Sequence, residues 1–176
     1  VPTSPVDVLN DLMQCCAVDT RLSGFEIRFE SPAVLPEVRC DPLQVQQVIL
    51  NLIRNAVDAM SPVSPSQGNL IIVRSLVLED SVQFEVVDTG TGIAPENQSR
   101  VFASFYTTKA DGMGVGLAIC RSIITLHGGN LNFRNNDDRG ATFYFTLPVD
   151  VFDAPVHDHA RDEAATTQQT SRAGYR

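Results

Sequence analysis

The sequence predicts an α+β fold, a two-layer sandwich whose mixed, mostly antiparallel sheet is covered on one face by helices. Three observations carry that expectation. Two pairs of strand-like segments, 69–78 with 81–88 and 129–135 with 141–147, are joined by connections too short for a crossover. Two other segments, 41–60 and 115–127, repeat their apolar residues at helical spacing and should lie on one face of that sheet. Strands and helices do not alternate strictly, as a doubly wound parallel sheet would require. At 176 residues the chain suffices for one domain with one core and is too short for two.

The elements follow in order. A helix is expected over 6–19, then a strand over Phe25-Glu-Ile-Arg-Phe-Glu30, where apolar and polar residues alternate. Pro32 and Pro36 punctuate an extended piece that ends at Cys40. Asp41 then supplies an N-cap and Pro42 the first helical position, where its missing N–H costs nothing. Val45, Val48, Ile49, Leu52, Ala56 and Met60 form the apolar stripe of that helix, which a breaker-rich loop at 61–68 ends. The hairpin 69–88 leads into a glycine-punctuated stretch, 89–114, with little periodicity. The second helix stops at His127-Gly128-Gly129, a glycine C-cap, and Asn136-Asp-Asp-Arg-Gly140 turns the last strand pair. Beyond Leu147 the chain has no Leu, Ile or Met. The domain is therefore expected over 1–148, with 149–176 a polar tail or linker. No internal repeat is visible.

Composition excludes several classes of function. With 13 basic and 21 acidic side chains the net charge is −8, which argues against binding nucleic acid. Lys109 is the only lysine. No stretch approaches the roughly 18 apolar residues of a membrane span, so no membrane contact is expected of this domain. Val1 reads as the start of a cut fragment, since neither an initiator Met nor a charged-then-apolar leader precedes it. Cys15 and Cys16 are adjacent, Cys40 and Cys120 stand alone, and no CxxC or His/Cys ligand spacing occurs. Free thiols in a reducing cytoplasm are expected, and structural zinc is not.

Three constellations carry chemistry. Gln47, Asn51 and Asn55 recur every four residues and drift only about 40° per step, so they share a helical stripe. An asparagine oxygen is a neutral hard ligand suited to Mg²⁺, although three amides alone are as readily a solvated face. Asp88 ends a hydrophobic strand just before Gly90 and Gly92. Such a carboxylate can accept from an exocyclic amine while glycines let backbone approach a flat ring, or it can simply make an Asx-turn. Asp-Thr-Gly also occurs in aspartic proteases, but the second active-site Asp they need is missing. Gly112, Gly114 and Gly116 run into the second helix, whose N-terminus can hold an anion. No GK[ST] follows and no Rossmann strand precedes, so neither a Walker loop nor a dinucleotide site is indicated. Just upstream, Phe102 and Phe105 read as packing anchors for a loop that carries Thr107-Thr108-Lys109.

In this order and spacing, the stretches resemble sensor histidine kinases over about residues 6–148. Asn51-Leu-Ile-Arg-Asn55-Ala resembles the N box, Asp88-Thr-Gly-Thr-Gly92 the G1 box, and Val101-Phe-Ala-Ser-Phe-Tyr-Thr-Thr-Lys109 the F box. Gly112-Met-Gly-Val-Gly116 resembles the G2 box and Arg139-Gly-Ala-Thr142 the closing strand motif. The short Thr-Thr-Lys lid is similar to that of PAS-linked nitrogen, oxygen and dicarboxylate sensors. The resemblance implies the Bergerat ATP-binding sandwich shared with type II topoisomerases, mismatch-repair MutL and the large heat-shock chaperone ATPase.

The resemblance also implies roles. Asn55 would ligate Mg²⁺, supported by Asn51, and Asp88 would read the adenine amine of ATP, helped by Gly92 and, through water, by Thr142. Lys109 and the amides around Gly114 and Gly116 would hold the β- and γ-phosphates, with Arg54 a weaker candidate at that end. Asn55 and Lys109 would thus be the catalytic pair. Gly90, Ile93, Phe105, Thr108, Gly112, Val115 and Leu117 complete the implied pocket. Two positions depart from the family pattern: Ser104 stands where Pro is common, and Ala59 where many relatives place an aromatic against adenine.

The implied activity is transfer of the γ-phosphoryl to a histidine in two-component signalling. None of the three histidines has an acceptor's context: His127 caps a helix, and His157 and His159 lie in the polar tail. The acceptor is expected on an upstream, usually dimeric helical domain, with a response regulator receiver as the next partner. The alternatives are a nucleotide-binding or partner-docking module without phosphotransfer, and an ATPase or serine kinase on the same fold. Topoisomerase-like ATPases place a water-activating Glu where this chain has Asn51, which argues against hydrolysis.

Overall fold

A computed structural model of the chain describes residues 1–61, 69–106 and 114–150. Helix α1 (Pro5–Val18) starts at Ser4, whose hydroxyl accepts the Asp7 N–H. A single 3₁₀ turn, Thr20–Leu22, leads to strand β2 (Glu26–Glu30). Two short strands, β1 (Pro2–Thr3) and β3 (Val38–Arg39), pair antiparallel ahead of helix α2 (Pro42–Met60). As the sequence predicts, Asp41 caps α2: its Oδ1 accepts the Leu43 and Gln44 N–H groups at 3.0 and 3.3 Å. Strands β4 (Leu70–Val77) and β5 (Ser81–Val87) form the first hairpin. A four-residue helix α3 (Pro95–Gln98) interrupts the stretch read as irregular. Helix α4 (Gly116–Leu126) and strands β6 (Leu131–Asn135) and β7 (Ala141–Pro148) complete the described chain.

The main sheet has the order β2-β4-β5-β7-β6. Every neighbouring pair is antiparallel except β2 with β4, so the sheet is mixed, mostly antiparallel and open. Its inner face carries Ile71, Val73, Phe84, Val86, Phe145, Leu147 and Leu131, all buried, and Phe84 stacks on Phe145 with ring centroids 5.0 Å apart. Helices α2 and α4 pack on this face, and α1 packs on α2. Buried Val45, Val48, Ile49, Leu52 and Ile53 are the apolar stripe anticipated for α2.

The other sheet face is polar. Glu85, only 3% exposed, accepts from Arg134 at 3.0 Å and lies 3.7 Å from Arg74, which also pairs with Glu30 at 3.1 Å. That ladder draws residues from four strands, spans all five, and lines the uncovered face with charge.

His127 joins the two main helices. Its Nε2 accepts the Asp41 N–H at 3.0 Å, so the ring proton sits on Nδ1, which donates to the Ile123 carbonyl at 2.8 Å. The end of α4 is thereby fastened to the start of α2. All four cysteines are free thiols, and burial pushes Cys16 and Cys120 up to about 11. Residues Val149 and Asp150 still pair with the domain, through Asp80 and Glu37, while 151–176, including His157 and His159, lie outside the described residues. Among the described residues no helix is long and apolar enough to cross a membrane.

Candidate functional site

Asp88 follows the last residue of β5 and is 2% exposed. Its Oδ1 accepts two main-chain N–H groups, from Gly90 at 2.8 Å and Ala141 at 3.1 Å. Burial raises the carboxyl above the ordinary carboxylate range, and these two donors pull it partly back. Among the described residues nothing donates to Oδ2, which leaves an acceptor for a ligand.

The β6–β7 turn holds this strand end in place. Gly140 has φ +81°, and a Cβ there would stand 2.1 Å from the Asp88 carbonyl oxygen. Only glycine fits both constraints. Asn136 donates to the Asp88 carbonyl at 3.0 Å and accepts the Thr142 hydroxyl at 2.6 Å. Thr142, buried and in register with Val87, thus reaches Asp88 through Asn136. Asn135, one residue earlier, bonds both main-chain groups of Ile93 at 2.9 Å. Sequence reasoning took Asn136 as a turn former and passed over Asn135; an Asn-Asn pair at a strand end was the only available signal.

The loop that carries Gly90 and Gly92 is seated on the end of α2. The Thr91 N–H donates to the Ala59 carbonyl at 3.1 Å, and the Thr89 hydroxyl lies 3.4 Å from Met60 Sδ. Farther up α2, Asn55 and Asn51 are half-buried, and Asn51 Nδ2 points to Cys120 Sγ on α4 at 3.7 Å. One helix therefore links the Asp88 loop to α4. Gln47, at the outer end of the amide stripe, is exposed.

Arg54 does not join these residues. Its guanidinium pairs at 3.2 Å with Asp19, at the end of α1, and Asp19 is held down to about 2 by its bonds to Arg21 and Arg54. Around the helix, Arg54 lies about 100° from Asn55, which turns it toward α1.

Among the described residues no side chain caps the start of α4: Val115 occupies the N-cap position without a capping bond, and Gly116 and Leu117 open the helix. A helix start of this kind can receive an anion. Gly114, with φ +66°, lies against the main chain of Phe105 and Tyr106, where a Cβ would come within 2.6 Å. Tyr106 and Gly114, which flank residues 107–113, are therefore adjacent. Thr108, Lys109 and Gly112 lie outside the described residues.

The F-box residues divide. Phe102 is the anchor anticipated, packing against Phe133 and Phe143 at centroid distances of 6.0 and 6.4 Å. Phe105 is not: it is 81% exposed and its φ is +65°. The left-handed backbone at Phe105 turns the ring away from the core that Phe102 enters. Tyr106 takes over as the second tether, its hydroxyl bonding Asn97 Oδ1 and its ring lying under Arg100 at 4.4 Å.

A surface depression lined by Arg39, Cys40, Asp41, His127 and Asp150 lies at the opposite end of α2 from Asp88 and shares none of these motifs.

Residues 40–151 match the family described as histidine kinase-, DNA gyrase B- and HSP90-like ATPases. The chain is 34% identical over 149 residues to sensor protein TdiS of Thauera aromatica, covering 84% of this chain and 27% of that protein. It is 41% identical over 129 residues to sensor protein FixL of Bradyrhizobium diazoefficiens, covering 73% of this chain and 25% of that one. The chain thus spans about a quarter of the length of these relatives. Its fold is similar to the nucleotide-free catalytic domain of histidine kinase ThkA, with a TM-score of 0.71 and 28% identity, covering 85% of this chain and 95% of that one.

Proposed function

This chain belongs to the histidine kinase-, DNA gyrase B- and HSP90-like ATPase family, and we propose that it is the catalytic domain of a sensor histidine kinase. It binds Mg·ATP and delivers the γ-phosphoryl to a histidine on a separate helical, dimeric domain of its parent protein. A response regulator receiver domain then takes the phosphoryl onward. The observation that carries this reading is Asp88: a buried carboxylate with Oδ1 pinned by main-chain donors and Oδ2 left to accept the adenine amine.

The chain's residues fit the nucleotide at both ends. Asp88 and the main chain around Gly90, Gly92 and Ile93 receive the base, while the uncapped start of α4 and Lys109 receive phosphates. Asn55 offers Mg²⁺ one neutral oxygen, and the ion, when bound, screens the phosphate charge. Among the described residues no group of three or more His, Cys, Asp or Glu is arranged to hold a metal alone. The ion is therefore expected to arrive with the phosphates.

The protein's part in the reaction is positioning and charge neutralisation, since phosphoryl transfer asks little covalent chemistry of the enzyme. Asn51, donating toward Cys120, offers no base to activate water, so bound ATP should persist until an acceptor docks. We place the domain in the cytoplasm, where ATP is supplied. Calorimetric titration with Mg·ADP tests the reading: a saturable one-site isotherm is expected, and absence of binding rejects it.

A further inference from the structure

We propose that Asn135 is a positioning residue for the base end of the nucleotide pocket, acting through the main chain of Ile93. The inference rests on the nucleotide-binding reading and adds to it the residue that fixes the loop after Gly92. Asn135 sits at the last position of β6, 42 residues from Ile93 in sequence, and spends both ends of its amide on one residue. Its Oδ1 accepts the Ile93 N–H at 2.9 Å and its Nδ2 donates to the Ile93 carbonyl at 2.9 Å. This is a two-point latch that fixes both position and orientation of the peptide groups flanking Ile93.

The loop needs such a latch. Between Asp88 and Pro95 no residue belongs to a strand or helix. Among the described residues its other ties include the Gly90 and Thr91 N–H bonds and the Thr89 hydroxyl against Met60 Sδ at one end, and a Gln98 amide on the Ile93 carbonyl at a longer 3.3 Å. The Ile93 side chain packs at the edge of the core, so the latch decides how that side chain and the Gly92–Ile93 peptide are presented to a base held by Asp88. Asn135 is itself exposed. An exposed side chain contributes little to the core, so its removal should disturb the pocket far more than the fold.

The test uses the whole chain with Asn135→Ala and the milder Asn135→Ser, reading affinity for Mg·ADP and Mg·GDP, melting temperature and amide exchange at Ile93. In Asn135→Ala, loss of two hydrogen bonds that order the loop should weaken Mg·ADP by about tenfold. The preference for ADP over GDP should narrow, the Ile93 amide should exchange faster, and the melting temperature should move by no more than about 2 °C. Asn135→Ser should fall between wild type and Ala. Wild-type affinity for Mg·ADP alongside faster Ile93 exchange would overturn the proposal, as would an equal loss for ADP and GDP. Unfolding of both variants would make Asn135 a structural residue and overturn it too. A wild-type chain that binds no Mg·ADP would instead reject the nucleotide reading on which the inference stands.

Discussion

Asp88→Asn should separate the needs of the site from those of the fold. The carboxylate is 2% exposed, and its partners among the described residues are the Gly90 and Ala141 N–H groups, both on Oδ1. An asparagine can keep both bonds with its own carbonyl oxygen. Its NH₂ then stands where Oδ2 was, presenting a donor to the adenine amine, itself a donor. A hydrogen bond to a charged group is worth about 1.5–3 kcal/mol, so nucleotide affinity should fall about 10- to 150-fold. Stability should move the other way. Burial raises the folded-state pKa of Asp88 above its ordinary 3.8. The carboxyl therefore favours the fold below pH 3.8, and that contribution is lost as pH rises through the raised value. At pH 7 the ionised group opposes folding, and the neutral amide removes that penalty. The assay pairs calorimetry with thermal melts at pH 7: Mg·ADP affinity should drop while the melting temperature holds or rises. Unchanged affinity would remove Asp88 from the site, and a lowered melting temperature would show that its charge serves the fold. Wild-type affinity should also weaken on acidification, beginning above the ordinary carboxylate range.

Glu85→Ala should cost about 1–3 kcal/mol in urea denaturation, because Arg134 and Arg74 lose the carboxylate that joins them across the open sheet face. Nucleotide affinity should be unchanged, since the Glu85 carboxylate is bonded to Arg134, Arg74 and Gln83 and to none of the groups that hold Asp88. Gly140→Ala should cost at least about 2 kcal/mol and lower nucleotide affinity as well, through φ strain and a Cβ 2.1 Å from the Asp88 carbonyl. Gly116→Ala, where a Cβ meets nothing within 4 Å, should leave stability within about 0.5 kcal/mol of wild type.

What the sequence made legible is what repeats along it. The stripe from Val45 to Met60 and the alternation of 69–78 and 81–88 are local signals, and burial follows them closely. The β1–β3 pair was invisible because two residues a strand show no period, and α3 because four residues make barely a turn. Alternation marks β2 as a strand but says nothing of its parallel partner. At the site, Asp88 was legible because a carboxylate closing an apolar strand before two glycines needs a reason. The pairing of Arg54, the weaker phosphate candidate, with Asp19 was hidden, because only the packing of α1 brings the two together. Phe105 misled similarly, because an aromatic in sequence carries no record of the φ that turns it outward. Asn135 and Asn136 act across 42 and 48 residues, a distance no local pattern encodes.

The central claim is that this domain carries the ATP machinery and that the acceptor histidine lies elsewhere. Its most direct measurement is incubation with γ-³²P-ATP, with and without the parent protein's histidine-bearing helical domain supplied separately. The chain alone should stay unlabelled. The added domain should gain acid-labile, alkali-stable phosphate at a rate that rises with its concentration, because in-line transfer requires docking. Asn55→Ala, which removes the proposed Mg²⁺ ligand, should abolish that labelling. Phosphate on this chain alone, or transfer that survives in Asn55→Ala, would contradict the account.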